Sequence, residues 1–264
     1  MDSIARRYGV DDLEKLARDK TLELSAFISE DLHLEWPPKW DLCDWEIEWF
    51  MRAYREYSLF ELKPRIGKST TNRPSGCPHV GYAGPTMFLN AEGKPFVHEF
   101  LVSWECHIAR LYSHEYFTQF SAAGELVGFY GQPSERLLAE LPLVENGRIG
   151  GYAIDLAVLD GPRPLAGKAK PVIGAEIKRL LKDHQILIAS IKRCRGLLSK
   201  DECGRDHRKC MWIRQTPSVR YLWVRSQYER DLFEVKRAAD TGFDLEGVPD
   251  SQIQTVLSRQ DWTY

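Results

Sequence analysis

Two short apolar runs constrain the fold of this 264-residue chain more than any other feature of its sequence. Residues 151–159 (GYAIDLAVL) and 171–178 (PVIGAEIK) have the length and apolar content of β-strands. The connection between them, residues 160–170, is rich in glycine and proline, which is typical of turns. The sequence therefore predicts two adjacent antiparallel strands.

Each of these runs carries charge where an apolar residue would be expected. Asp155 lies within the first run, and Glu176 and Lys178 lie in the second. An uncompensated carboxylate in an apolar strand costs several kcal/mol, so the three charges are expected to share a partner. Glu176 and Lys178 are two residues apart and face the same side of a strand. Two oxygen donors suit Mg²⁺ or Mn²⁺, and the lysine could orient or deprotonate an attacking water. The alternative is that Glu176 and Lys178 form an exposed ion pair on an edge strand, which would contribute little to the stability of the fold.

This arrangement resembles the PD-(D/E)xK nuclease superfamily over residues 131–228. The family's aspartate corresponds to Asp155 and its (D/E)xK triplet to Glu176 and Lys178, although Ile154 stands where the family name has proline. The resemblance implies an α/β fold of the restriction-endonuclease-like type, with a mixed central sheet flanked by helices. It also implies Mg²⁺-dependent hydrolysis of phosphodiester bonds, with Asp155 and Glu176 holding the metal.

Two further catalytic candidates follow from the resemblance. Many members of the superfamily add a glutamate from the helix before the first catalytic strand, and residues 133–141 are predicted to form that helix. Glu135 is therefore the expected supporting metal ligand, with Glu140 as its substitute. Gln185 lies at the start of a helix predicted after Lys178, where one branch of the superfamily has a glutamine close to the active site. An exposed glutamine without a role is the alternative for Gln185.

The distribution of charge favours a nucleic acid as the partner. Residues 168–225 contain fifteen Lys or Arg and five Asp or Glu, whereas residues 1–62 contain eight and fifteen. Concentrated positive charge binds a phosphate backbone through counterion release, although solvated surface is the alternative for any single residue. The candidate backbone contacts are Lys192, Arg193, Arg195, Lys200, Arg205, Arg208, Lys209 and Arg214. DNA is expected rather than RNA because the resemblance points to it.

A cysteine and histidine loop at residues 194–210 is a second candidate metal site. Cys203, His207 and Cys210 lie close together in sequence, and Cys194 could complete a tetrahedral set of ligands for Zn²⁺. The spacing is not the paired CxxC pattern, so a basic surface loop with reduced cysteines remains the alternative. An iron-sulfur cluster would need a fourth thiolate from a distant part of the sequence.

The N-terminal half carries less explicit chemistry. Helical patterns at residues 11–31, 44–62 and 97–120 predict a mostly helical region over residues 1–130, which would select the substrate or form a homodimer contact. Residues 131–264 would form the nuclease core. The sequence has neither a signal-peptide pattern nor an apolar run of about 20 residues, and its cysteines do not form a disulfide framework, so a cytoplasmic protein without membrane contact is expected.

These observations predict a DNA endonuclease of the restriction or genome-defence type. The alternatives are a nuclease of DNA repair or recombination and a non-catalytic nucleic-acid-binding module, which could contain zinc. Cleavage that depends on Mg²⁺ would separate the nucleases from the binding module.

Overall fold

The structure, a computed structural model, describes residues 43–59, 61–65, 79–83, 97–102, 113–145, 148–162, 170–239 and 242–262. The prediction of a helix over residues 11–31 lies outside this described part.

A six-stranded mixed sheet forms the centre of the fold. In order across the sheet, its strands are β4 (Leu137–Glu145), β5 (Arg148–Leu159), β6 (Pro171–Ile177), β7 (Tyr221–Arg225), β8 (Arg230–Arg237) and β9 (Phe243–Gly247). Neighbouring strands are antiparallel except for β6 and β7, which are parallel. The predicted hairpin of β5 and β6 is confirmed. The alternating residues 219–225 also predict a strand, which the structure confirms as β7, and two more strands follow it.

Helices cover both faces of this sheet. Helices α1 (Asp44–Arg55), α2 (Ser113–Gly128) and α6 (Asp250–Leu257) contribute to one apolar core with the sheet. Helices α3 (Leu181–Cys194) and α5 (His207–Gln215) contribute to a second core, next to the short helix α4 (Lys200–Cys203). Along β7, Trp223 enters the first core while Leu222 and Val224 enter the second, as the two-residue period of a strand requires. The layered α/β class expected from the sequence is therefore observed.

The described N-terminal residues contain strands as well as helices. Strands β1 (Glu61–Arg65), β2 (His79–Ala83) and β3 (Val97–Val102) form an antiparallel sheet. The predicted helix at 44–62 is confirmed only as far as Arg55, and the prediction of one helix over 97–120 is wrong at its first residues. Only its last part joins α2. Apolar side chains at helical spacing also occur in strands, and here cross-strand pairing determined the structure.

The helix predicted for residues 133–141 is also wrong. The chain forms a 3₁₀ turn at Ser134–Arg136 and then enters β4. Pro142 directly follows the predicted helix and lies within β4, where it lacks the N–H that a strand residue can donate to its neighbour. In β4 it is tolerated because β4 is the outermost strand of the six-stranded sheet.

The first apolar core crosses the predicted boundary at residue 130. Phe50 of α1 and Phe120 of α2 are fully buried together with Leu156 of β5 and Trp223 of β7. The parts of the chain before and after residue 130 therefore share one continuous core. The division of the chain into two domains remains a prediction. Among the described residues, no helix has the length and apolar character needed to cross a membrane.

Candidate active site

The candidate site lies at one end of the β5–β6 hairpin. Leu156 pairs with Ala175, so Asp155 and Glu176 occupy the next positions along the two strands. The backbone N–H of Ile177 donates a hydrogen bond to Asp155 Oδ2 at 2.6 Å, which fixes the carboxylate beside β6. Glu176 is fully buried in an interior strand. This burial contradicts the alternative of an exposed edge pair.

Lys178 is the point at which the oxygen atoms of the site converge. Its Nζ lies 3.7 Å from Asp155 Oδ2 and 3.3 Å from Glu176 Oε2, and it donates a hydrogen bond to the carbonyl oxygen of Ile177 at 2.8 Å. Three oxygen atoms from two strands thus surround one cationic nitrogen. The structure brings together the three residues that the sequence singled out.

A second ammonium group contacts the same carboxylate. Lys209 of α5 donates to Glu176 Oε2 at 2.6 Å, and its Nζ lies 3.9 Å from Asp206 Oδ1. The side chain of Lys209 is largely buried, with 14% of its surface exposed. The sequence suggested Lys209 only as a phosphate-backbone contact, because nothing in the sequence relates it to Glu176, 33 residues away.

Burial and the charge of Glu176 raise the pKa of Asp155 to about 7, although Lys178 and Lys209 oppose this increase. Ionisation of Asp155 is therefore costly in the absence of a further cation. A bound divalent metal would favour the ionised form, because an opposite charge nearby lowers the pKa of a carboxyl group. Burial is the larger of the two causes, since the two lysines match the two carboxylates in formal charge.

We expect Asp155→Asn to stabilise the metal-free protein by about 1–2 kcal/mol at pH 8 and much less at pH 4. Between pH 4 and 7 the unfolded chain ionises Asp155 whereas the folded chain keeps it protonated. The stability of the unsubstituted protein should therefore fall as pH rises, and the penalty should remain above pH 7. Urea unfolding in EDTA at several pH values measures the difference. Asp160→Asn, at the end of the same strand, is the control, and a difference that does not change with pH would contradict the prediction.

Helix α2 supports strands β5 and β6 from the other face of the sheet. The side-chain amide of Gln119 donates to the backbone oxygen of Asp155 at 2.5 Å. Glu125 accepts from Arg225 Nε at 3.0 Å, and the backbone oxygen of Arg225 accepts from the N–H of Lys178 at 2.8 Å. The sequence does not predict the contacts of Gln119 and Glu125, because their partners lie 36 and 100 residues away. Polar side chains on a helix are also common without such a role.

The remaining catalytic candidates differ in position, and Glu140 occupies the place opposite Asp155 in the register of β4 and β5. Glu135 is exposed on the 3₁₀ turn before β4. The first residue of β4, Leu137, pairs with Val158, which lies about 10 Å along the strand from Asp155, so the structure does not bring Glu135 into the site. Glu140 lies in β4 between the residues that pair with Leu156 and Ile154. Gln185 is exposed on α3, and its role remains a prediction.

The candidate phosphate contacts have different environments. Arg195 forms an ion pair with Asp244 at 2.7 Å, and Arg214 donates to the backbone oxygen of Gly196 at 2.8 Å, so both hold the fold together. The side chain of Lys192 lies over the ring of Phe233. Five of the candidate phosphate contacts are exposed on α3, α4 and the segment after them: Lys192, Arg193, Lys200, Arg205 and Arg208.

Three of the four predicted zinc ligands come together. The sulfur atoms of Cys194, Cys203 and Cys210 lie within 4.8 Å of one another, and all three residues are buried. Burial raises the pKa of the Cys203 thiol to about 11. His207 lies outside this group, and its Nδ1 is buried without a hydrogen-bond partner. The burial of the cysteines differs from the alternative of a plain surface loop.

A second group of potential ligands lies near the other end of α3. The Nε2 atom of the buried His184 is 2.7 Å from Asp231 Oδ2, and Glu229 lies close to both. The hydrogen bond connects α3 to β8 and was not anticipated from the sequence.

Comparisons with models of protein families, with curated proteins and with solved structures find no match to this chain.

Proposed function

We propose that this chain is a Mg²⁺-dependent endonuclease that hydrolyses phosphodiester bonds in DNA. The observation that carries the proposal is the convergence of Asp155 Oδ2, Glu176 Oε2 and the Ile177 carbonyl on one cationic group, Lys178 Nζ. Oxygen atoms gathered round a positive charge are also the ligands that a hard divalent cation prefers.

The donor set fits Mg²⁺ or Mn²⁺ on two further grounds. All three donors are oxygens, and two are carboxylates that can supply negative charge. Burial, and next the charge of Glu176, raise the pKa of Asp155, so a further cation beside it would favour the ionised form that binds metal. Asp155 and Glu176, with the Ile177 carbonyl, would therefore hold the metal, which would supply Lewis-acid activation of the phosphate and an acidified water.

Lys178 would act on the reacting groups themselves. Its Nζ lies within 4 Å of both carboxylates, and its side chain is 16% exposed. An ammonium group in this position can orient the attacking water or offset charge on the pentavalent phosphorus. Lys209 contacts Glu176 and not Asp155, and it would balance the charge of the buried Glu176.

The exposed basic residues support DNA as the substrate. Arg193, Lys200, Arg205 and Arg208 are exposed on α3, α4 and the residues that follow them, and Lys209 of the adjoining helix reaches the site. Such a surface would attract a phosphate backbone without reading its sequence. The resemblance to the nuclease superfamily favours a role in restriction or genome defence over repair or recombination.

Incubation of the purified chain with plasmid DNA tests the proposal. We expect cleavage with Mg²⁺ or Mn²⁺, none with EDTA, and a loss of about 10³-fold or more in Asp155→Asn. A parallel reaction with RNA of matched length compares the two substrates. The Asp160→Asn variant should cleave normally.

Binding of plasmid DNA without cleavage at any divalent-metal concentration would instead favour the non-catalytic binding module. Cleavage that survives Asp155→Asn unchanged would remove the proposed site.

A further inference from the structure

The three buried cysteines lie at the point where three helices meet, away from the carboxylates of the candidate active site. Cys194 is the last residue of α3, Cys203 the last of α4, and Cys210 lies within α5. Their exposed fractions are 1%, 3% and 0%. The sulfur atoms of Cys203 and Cys210 are 3.7 Å apart, and all three sulfurs lie within 4.8 Å of one another.

We propose that Cys194, Cys203 and Cys210 bind one Zn²⁺ ion as thiolates. A tetrahedral zinc with Zn–S bonds of about 2.3 Å places its sulfur ligands about 3.8 Å apart. The separation of Cys203 and Cys210 matches this value without any rearrangement. It is far longer than a disulfide bond, and all three residues are free cysteines.

The surroundings of the sulfur atoms fit a metal thiolate. Three thiolates and one Zn²⁺ carry a net negative charge, since each thiol releases its proton on binding. A surface cleft reaches Cys203 and is also lined by Arg193, Arg205 and Asp206, so two positive charges and one negative charge lie beside the sulfur atoms. The cleft provides a path for the ion to enter and space for a fourth ligand.

The zinc would join the ends of α3 and α4 to α5, in addition to the apolar core that these helices share. Helix α4 has only four residues and could not remain folded on its own. A metal bonded to the ends of α3 and α4 and to α5 would fix the segment that carries Arg193, Lys200, Arg205 and Lys209. The inference therefore assigns a structural role to the metal and does not depend on catalysis.

Metal analysis of the full chain, produced in zinc-supplemented medium, tests the site. We expect one Zn²⁺ per chain in the unsubstituted protein, in Cys43→Ser and in Asp155→Asn. Cys43 is the matched control because it is a free, partly buried cysteine outside the cluster. Cys203→Ser and Cys210→Ser should bind zinc at least about 100-fold more weakly.

A second measurement uses the unsubstituted chain, because a serine at a buried position could prevent folding. Removal of zinc with a chelator should lower the melting temperature, and Zn²⁺ but not Mg²⁺ should restore it. Co²⁺ added to the metal-free chain should produce the near-ultraviolet charge-transfer absorption of cobalt thiolates.

The absence of both zinc and this cobalt absorption in the unsubstituted chain would overturn the inference. A Cys203–Cys210 disulfide in the purified chain, seen as a loss of two hydrogens by mass spectrometry under non-reducing conditions, would also overturn it. Zinc retention in Asp155→Asn distinguishes this site from the proposed nuclease site, because that variant should lose cleavage.

Discussion

Lys178→Met should lower the rate of Mg²⁺-dependent DNA cleavage by about 10²–10⁴-fold while leaving DNA binding within about threefold. Lys178 Nζ is the group on which the oxygens of Asp155, Glu176 and Ile177 converge, so its removal takes away the charge beside the reacting phosphate. Methionine keeps most of the side-chain length without the charge. Single-turnover cleavage and binding in Ca²⁺ measure the two effects separately.

Lys209→Met is the matched control for this prediction. Lys209 belongs to α5 and contacts the same Glu176 oxygen. Among the described residues its ion pairs are with Glu176 and Asp206, and none joins it to Asp155. At saturating Mg²⁺ the metal would replace the lost charge, and we expect cleavage within about tenfold of the unsubstituted rate. An inactive Lys209→Met together with an active Lys178→Met would reverse the roles assigned to the two lysines.

Arg225→Met should destabilise the fold by about 3 kcal/mol, because it leaves the buried Glu125 carboxylate with only the more distant guanidinium of Arg230, 3.9 Å from its other oxygen. Arg225 Nε donates to Glu125 Oε2 at 3.0 Å, and Trp45 Nε1 donates to the same oxygen at 3.0 Å. The guanidinium also lies 3.8 Å from the centre of the Trp45 ring. Equilibrium urea unfolding measures the loss.

Two variants test the cause of this destabilisation. Arg52 also pairs with a glutamate and lies over a tryptophan ring, but its side chain is 34% exposed, against 6% for Arg225. Arg52→Met should therefore cost less than about 1 kcal/mol. Glu125→Gln added to Arg225→Met should recover at least part of the lost stability. A double variant as unstable as Arg225→Met would show that the loss comes from packing and not from the unpaired charge.

Local pattern was sufficient where burial and neighbouring residues agreed. The apolar runs around Asp155 and Glu176, with a turn-rich connection between them, predicted the β5–β6 hairpin correctly. The same holds for α3, where His184, Leu187, Ile191 and Cys194 form its buried face. The pattern left the register of the hairpin open, and the pairing of Leu156 with Ala175 in the structure places Asp155 opposite Glu176.

Local pattern failed where an apolar segment could serve either structure. Residues 137–141 and 97–102 have leucines and other apolar side chains at spacings that fit a helix, yet both segments form strands. Strand pairing with distant residues decided the outcome in each case. The helical pattern at 133–141 placed the expected supporting glutamate on a helix, but most of this segment forms β4. The helix that packs against β5 and β6 is α2, which supplies Gln119.

The sequence by itself determined the α/β class, the β5–β6 hairpin and the three charged residues on it, because these depend on side chains close together in the chain. Only the tertiary structure decided that Lys209 pairs with Glu176, and that Gln119 and Arg225 support strands β5 and β6. It also decided that three cysteines from three helices lie together without His207. Such contacts join residues distant in sequence, and their geometry depends on how the helices pack on the sheet.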